Sequence, residues 1–544
     1  MKQQTYPLWQ FTSLLISCLI FFPIITLFIL GFNTEDSQKI WAHLSQTVLS
    51  DYVINSLILA IGVSVVSLFI GVGSAWLLSR YQFIGSNFLS WALLLPLAMP
   101  TYIIAYSYTG LFDIAGPIQS SIRENFDLSY GQYWFPEIRS LGGAIFVISF
   151  VLYPYVYLLA RASFLEQSHR LTDVARLMGY TRTQAFFKVT LPIARPAIIT
   201  GISLTLMETL ADFGAVSYFG VDTFTTGIFR TWYGLDSING AAQLALMLLS
   251  FVIILIVLEK YSRRQARYHI HSNQEINKQE LTGSKGLTSF IICSFPLLLG
   301  FVIPIWQLLV WATQTYAQLF ETAFWLLIKN TFFLAAITSV LALIFAILLA
   351  YSHRLINNQL TQLTRHLASF GYAIPGVIIA VGTLIPLAKL DNYIDAWFRL
   401  NFEFSTGLLI SGTTIALIIA YLVRFMSVSL RTVESGLASV KQNMDHVSRT
   451  LGHKPLFTLR KIHIPIIRNS LLTAILIVFV EVMKELPATL ILRPFNFNTL
   501  AVRAYELASD ERLADASISS LTIVLVGLVP VILLTRAINK NQKK

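Results

Sequence analysis

Two short stretches, Glu-Thr-Leu-Ala-Asp at 208–212 and Glu-Val-Met-Lys-Glu at 481–485, place four carboxylates inside otherwise apolar runs. An ionisable group within a bilayer costs about 2.5–3.5 kcal/mol even on the lenient insertion scale, so Glu208, Asp212, Glu481 and Glu485 are candidates for function. Each pair is spaced i, i+4, which puts both acids on one face of a continuous helix. Carboxylate oxygens are hard ligands suited to a hard, highly charged cation. The four are therefore expected to line a cation's path and to ligate it in transit. Glu481 lies twelve residues after Asn469, about 18 Å along a helix and past the middle of a hydrocarbon core of about 30 Å. The competing reading is that the acids pair with bases or bridge helices. Lys484, three residues from Glu481, is placed to neutralise it.

Positioning those acids requires membrane helices, and the composition supplies them. Of 544 residues, 55% are hydrophobic and 12% charged, against roughly 25% charged in soluble domains. The fold class is all-α and polytopic. Apolar runs fall at about 11–31, 53–79, 88–112, 142–162, 196–218 and 240–258, then 288–312, 330–351, 366–389, 406–430, 470–491 and 518–536. These are about twelve transmembrane helices in two sets of six. The first run is longer than a signal-peptide core of about 7–15 residues and lacks a cleavage pattern, so it reads as a membrane helix. A polar, charge-rich linker at 259–286 separates a first domain, 1–258, from a second, 287–544. Its Lys260, Arg263, Arg264 and Arg267, with Lys540, Lys543 and Lys544 at the end of the chain, place linker and C-terminus in the cytoplasm. Six crossings per half bring the N-terminus to the same side. The net charge of +11 follows from this bias, and no nucleic-acid module accompanies it. His269 and His271 in the linker read as solvated, and Cys18 and Cys293 as spectator thiols.

The two domains repeat one plan. Gly179 matches Gly452 and Pro192 matches Pro465, both 273 residues apart (452 − 179; 465 − 192), as are Glu208 and Glu481, Phe224 and Phe497, and Arg230 and Arg503. Earlier the offset is 275, as for Asn55 with Asn330 and Pro100 with Pro375. Equal topology in both halves makes the repeats parallel, not inverted. The polar copies at 171–192 and 444–465 each read as a short helix, a glycine that ends it in the left-handed conformation, and a second amphipathic stretch, with Ala185, Phe186 and Val189 on one side of the first copy, that Leu191-Pro192 stops before the next crossing. Such a helix pair projecting from the membrane fits a groove on a soluble partner.

Asp173-Val174-Ala175-Arg176 with Gly179 and Leu191-Pro192 resembles the EAA loop of ABC importer permeases, here spanning about 163–195. The second copy, about 434–468, matches through Val447, Ser448, Arg449, Gly452 and Pro465, with Asp445 one place early. The segment 481–506 is very similar to one in fused two-domain permeases of ferric-iron importers, and Glu485 within Lys-Glu-Leu-Pro-Ala-Thr is the acid that this resemblance singles out. The resemblance implies two tandem six-helix type I (MetI-like) permease domains in a bacterial inner membrane, loops that dock two ATPase subunits, and an external binding protein that delivers ferric iron. The Gly-x-x-x-x-Gly-Lys-Ser/Thr phosphate loop is missing from the sequence, so ATP and magnesium belong to the partner and no cofactor is expected here. Related carriers of thiamine or phosphonate stay open as alternatives. A proton-driven carrier also remains, although it would have no ATPase to dock. No nucleophile–base constellation supports an enzyme.

Overall fold

The computed structural model describes residues 6–31, 37–167, 175, 177–264, 278–356 and 358–542. Asp173, Val174, Arg176, His269 and His271 lie outside the described residues. Along the chain run α1 (Pro7–Gly31), α2 (Leu49–Arg80), α3 (Thr101–Phe112), α4 (Leu141–Glu166), α5 (Leu191–Ala211), α6 (Gly214–Tyr218) and α7 (Ile238–Arg264). There follow α8 (Gly283–Leu297), α9 (Ile303–Thr315), α10 (Thr322–Leu355), α11 (Gly376–Phe402) and α12 (Thr414–Ala438). The last are α13 (Gln442–Thr450), α14 (Ile464–Met483), α15 (Pro487–Leu492) and α16 (Ala516–Gln542). Among the described residues, 11 helices are long and apolar enough to cross a membrane, or 12 if a bent pair counts as one span.

That bent pair corrects the expectation of an unbroken span over 88–112. Ser86–Ala98 and Thr101–Phe126 meet at 94°, because Pro100 removes an amide donor and drives Met99 out of the helical region, to ψ 123°,. Its repeat partner Pro375 acts alike: Ile374 has ψ 126°, and α11 starts only at Gly376. The run 366–389 is therefore interrupted too.

Packing divides the chain into two compact units that interleave the sequence halves. The N-unit comprises Leu44–Gly227, Met247–Tyr316 and Ala504–Lys544; the C-unit comprises Met1–His43, Ile228–Leu246 and Ala317–Arg503. In the N-unit α2, α4 and α5 pack mutually, and α9 lies against α3 and α16. Two-residue strands, β1 (Tyr81–Gln82) and β2 (Gln279–Glu280), pair in parallel and pin the end of the linker to the end of α2. Lys278 Nζ adds a hydrogen bond to the carbonyl of Leu78 at 2.8 Å. In the C-unit α10, α12 and α14 form the equivalent core, and α1 packs on α10 and α11. There Ser17 Oγ donates to the Thr364 carbonyl at 2.9 Å and Ser352 Oγ to that of Trp9 at 3.0 Å. The first span of each half has thus left its own half's core. Cys18 and Cys293 are free thiols.

Without a hydrophobic drive between helices in lipid, small residues let backbones approach closely. At Gly71 on α2 an added Cβ would lie 2.8 Å from Val156 Cβ and 2.9 Å from the Tyr157 amide nitrogen, whereas at Gly73 it would meet nothing within 4 Å. Gly71→Ala should accordingly destabilise the detergent-solubilised protein by about 1–3 kcal/mol, the usual cost of overpacking. Gly73→Ala should leave the thermal midpoint unchanged or slightly raised, and the two midpoints side by side check the α2–α4 contact.

Candidate functional site

The four acids occupy two different kinds of place. α5 ends at Ala211, and Asp212 has an extended backbone, ψ 130°. Its Oδ1 accepts hydrogen bonds from the amides of Ala215 at 3.0 Å and Val216 at 3.2 Å, at the start of α6. Thr101 Oγ1 donates to Oδ2. In the C-unit α14 ends at Met483. Glu485 Oε1 accepts from the Ala488 amide and from Arg424 Nη1, both at 3.1 Å, and Oε2 from the Thr489 amide at 3.1 Å and hydroxyl at 2.9 Å. Both acids therefore cap a short helix, where amide donors lack intrahelical partners and the dipole is positive.

This corrects the shared-face reading of the i, i+4 pairs. Each helix stops before the second acid, because that acid's side chain takes over the amides of the next helix; Pro487, at the first position of α15, cannot extend α14,. Glu208 and Glu481 remain within their helices, half-buried. Glu481 Oε1 lies 2.8 Å from Lys484 Nζ. Among the described residues, no three His, Cys, Asp or Glu side chains gather as a group that could hold a metal ion. Glu485, favoured by the resemblance, is the least accessible of the acids, with a side chain 1% exposed and already in four hydrogen bonds.

Three partners escaped the reading of the acids alone. Arg424 stands in the apolar run 406–430, and a basic residue there was as visible a signal as the carboxylates. Gly376 leaves room for it: an added Cβ would fall 2.2 Å from Arg424 Nη1 and 2.6 Å from Glu485 Oε1. Thr101 holds the same repeat position as Gly376 (376 − 101 = 275). One half thus satisfies its capping acid with a hydroxyl and the other with a guanidinium. The repeat register after the caps also needs correction. Asn55 Nδ2 bonds the Asp222 carbonyl at 3.0 Å and Asn330 Nδ2 that of Asn498 at 3.2 Å. The Phe224 amide bonds Ser56 Oγ, as the Leu500 amide bonds Thr331 Oγ1. Phe224 therefore corresponds to Leu500, an offset of 276 (500 − 224), rather than to Phe497; the C-unit carries three extra residues before this helix.

The polar repeats adopt the expected turn. Gly179 and Gly452 have φ +88° and +79°, with open space around each. The amide of Tyr180 reaches the Ala175 carbonyl, and that of His453 the Ser448 carbonyl, both at 3.1 Å, as a helix-ending Schellman turn requires. Equivalent π-helical turns follow at Phe186–Thr190 and Leu459–His463. Pro192 and Pro465 sit, exposed, in the first turns of α5 and α14. The small residues face inward, Ala175 and Ser448 being buried, and Ser448 Oγ contacts Thr458 Oγ1 at 2.6 Å. Val447, Arg449 and Leu451 face outward, Val447 being 59% and Leu451 68% exposed. Val447 and Leu451, with Met444, Phe457 and Ile462, edge a groove of about 450 Å³.

Asp445, the acid one place early in the second copy, is buried. Its Oδ2 accepts from Arg354 Nε at 3.0 Å and Nη2 at 2.7 Å, and its Oδ1 lies 2.8 Å from His463 Nε2. Burial alone would raise this carboxyl's pKa, but His463 and Arg354 outweigh it and hold the group below the usual carboxylate range,.

The two kinds of acid should respond differently to neutral substitution. Glu485→Gln leaves the largely buried Arg424 beside an uncharged amide and should cost about 3 kcal/mol, the low end of the scale for a broken buried pair,. Glu481→Gln removes a partly solvated pair and should cost about 1 kcal/mol or less. Thermal unfolding of the purified variants in one detergent compares them.

The model of the binding-protein-dependent transport system inner membrane component family matches the chain twice, over residues 67–268 and 342–544. The chain is 25% identical over 489 residues to the Fe(3+)-transport system permease protein FbpB 2 of Haemophilus influenzae, covering 89% of each chain. It is 23% identical over 548 residues to the ferric transport system permease protein FbpB of Actinobacillus pleuropneumoniae, covering 95% of this chain and 76% of that one. The sulfate transport system permease protein CysT of Salmonella typhimurium is 30% identical over 211 residues, 38% of this chain and 72% of its own. Two matches to one family model, each taking in a glycine-ended loop, a proline-started helix and a capped carboxylate, leave one conclusion: this chain belongs to the inner-membrane components of binding-protein-dependent transport systems, as a tandem pair of permease domains.

Proposed function

We propose that this permease moves ferric iron, delivered by an external binding protein, across the bacterial inner membrane, driven by two copies of a separate ATPase docked on its two polar loops. The observation that carries the cargo is the extent of similarity. The relatives named for ferric transport align across both halves, while the sulfate permease covers 38% of the chain. Ligand chemistry favours the same choice. Glu208 and Glu481 put hard carboxylate oxygens on the half-buried faces of α5 and α14, Glu481 beside Lys484, and such ligands suit a hard cation rather than an oxyanion,. In this reading Glu208 and Glu481 meet the cargo in transit, and Asp212 and Glu485 hold α6 and α15 in place. ATP and magnesium stay on the partner, and the exposed Val447, Arg449 and Leu451 face it.

Cells that rely on this system for iron provide the first test. Glu208→Gln with Glu481→Gln should lower radiolabelled ferric uptake by more than about tenfold, a barrier change of about 1.4 kcal/mol, at unchanged protein level. Normal ferric uptake in the double variant, or ATP-dependent sulfate uptake by the wild type, would overturn the assignment.

Orientation has its own measurement. Reporter fusions at Gln274 and after Lys544 should report cytoplasm, and fusions at Asp127 and Glu403 the opposite face. An external linker would place both docking loops out of reach of any ATPase.

A further inference from the structure

In the C-unit the end of α10 is a junction. Arg354 Nη1 donates to the Leu437 carbonyl at 2.5 Å, in the last turn of α12, and Nη2 to the Val440 carbonyl at 2.7 Å, two residues beyond that helix. The same guanidinium binds Asp445 on α13 with two donors, Nε and Nη2, converging on the single oxygen Oδ2, a charge-assisted contact,. Asp445 passes the link to His463, fully buried in the π-helical turn that opens directly into α14. One turn back on α10, Tyr351 donates to the Pro455 carbonyl at 2.9 Å and packs edge-on against His463, ring centroids 5.3 Å apart.

The first half is built otherwise. At the same offset Asp445 corresponds to Thr172 and His463 to Thr190 (445 − 273; 463 − 273). Thr190 is buried, and its hydroxyl is 3.5 Å from the Ala185 carbonyl of its own helix. No acid–histidine pair can form at these two positions of the first loop.

We infer that Asp445 is a positioning residue, locking α13 to the ends of α10 and α14 through Arg354 and His463, so that displacement of the second loop reaches the helix carrying Glu481 directly. This rests on the reading that α13 docks an ATPase. The outward residues of α13 make the contact, and the inward acid transmits it. A rigid ionic joint carries force in both directions, and Thr172 and Thr190 cannot supply this particular acid–histidine joint in the first loop.

The test uses the assembled complex of permease, ATPase and binding protein in proteoliposomes, measuring ferric uptake and ATP hydrolysis in one sample. Asp445→Asn keeps the shape and removes the charge. The ATPase should still co-purify, and iron moved per ATP should fall about tenfold, within the usual range of coupling energies. Asp445→Glu, which restores the charge, should recover most of the ratio. Three results would overturn the inference: an unchanged ratio in Asp445→Asn, loss of the ATPase from that complex, or uptake and hydrolysis falling together with the amount of folded protein. The second would mean that the acid touches the ATPase itself, and the third that its role is stability alone. Should the wild-type permease fail to hold any ATPase, the docking reading falls first, and that outcome is visible before any variant is made.

Discussion

A backbone amide left bare in hydrocarbon costs several kcal/mol, and this chain breaks its helices where membrane proteins can least tolerate it. The carboxylates of Asp212 and Glu485 resolve that conflict. Each ends a long helix, turns the chain, and satisfies the leading amides of a short one. Everything placed by α6 and α15 depends on those contacts. The charge used for capping then needs its own partner, and the two halves supply different ones: the Thr101 hydroxyl, and the Arg424 guanidinium with a glycine beside it. Duplication has preserved the constraint without preserving the residues.

The same divergence runs through the polar loops. Both keep what geometry demands: a glycine with positive φ, a buried small residue one turn before it, a π-helical turn, and a proline in the first turn of the next helix. The polar groups behind that frame have drifted apart. Shape is held because the backbone has few ways to end a helix and start another within a dozen residues, and chemistry behind the shape is free to vary so long as buried groups find partners.

Much of this was legible from residues alone. Gly179 and Gly452 announced their turns, because glycine before a polar residue at a helix end has one common use. Apolar runs located the spans, and matching residues at offsets of 275 and then 273 revealed the duplication. Other features could not be read. Pro100 and Pro375 match in the repeat, but hydropathy does not register a bend, so the sequence alone makes their spans continuous. Periodicity treats residues four apart as neighbours only while the helix lasts, and nothing local marked its end before Asp212. Asp445 was visible as an acid, but its direction depends on Arg354, 91 residues away. The three-residue shift before Leu500 was hidden because Phe and Thr recur by chance at the older offset.

The packing of α1 carries a consequence for synthesis. Its partners α10 and α11 belong to the second half, and Thr322 emerges 291 residues after Gly31 (322 − 31). At about 5–20 residues per second that is a delay of roughly 15–60 s, spent in the bilayer without its eventual neighbours. A lone helix in that position needs its polar groups satisfied from within. Ser17 meets the requirement: its hydroxyl reaches the Ser13 carbonyl of its own helix at 2.8 Å, as well as the Thr364 carbonyl at 2.9 Å. The first bond is available from the moment the helix forms, and the second only when the partner arrives. α1 can therefore be stored in lipid as a finished segment, and the interlaced architecture is compatible with a ribosome that makes its two halves in sequence.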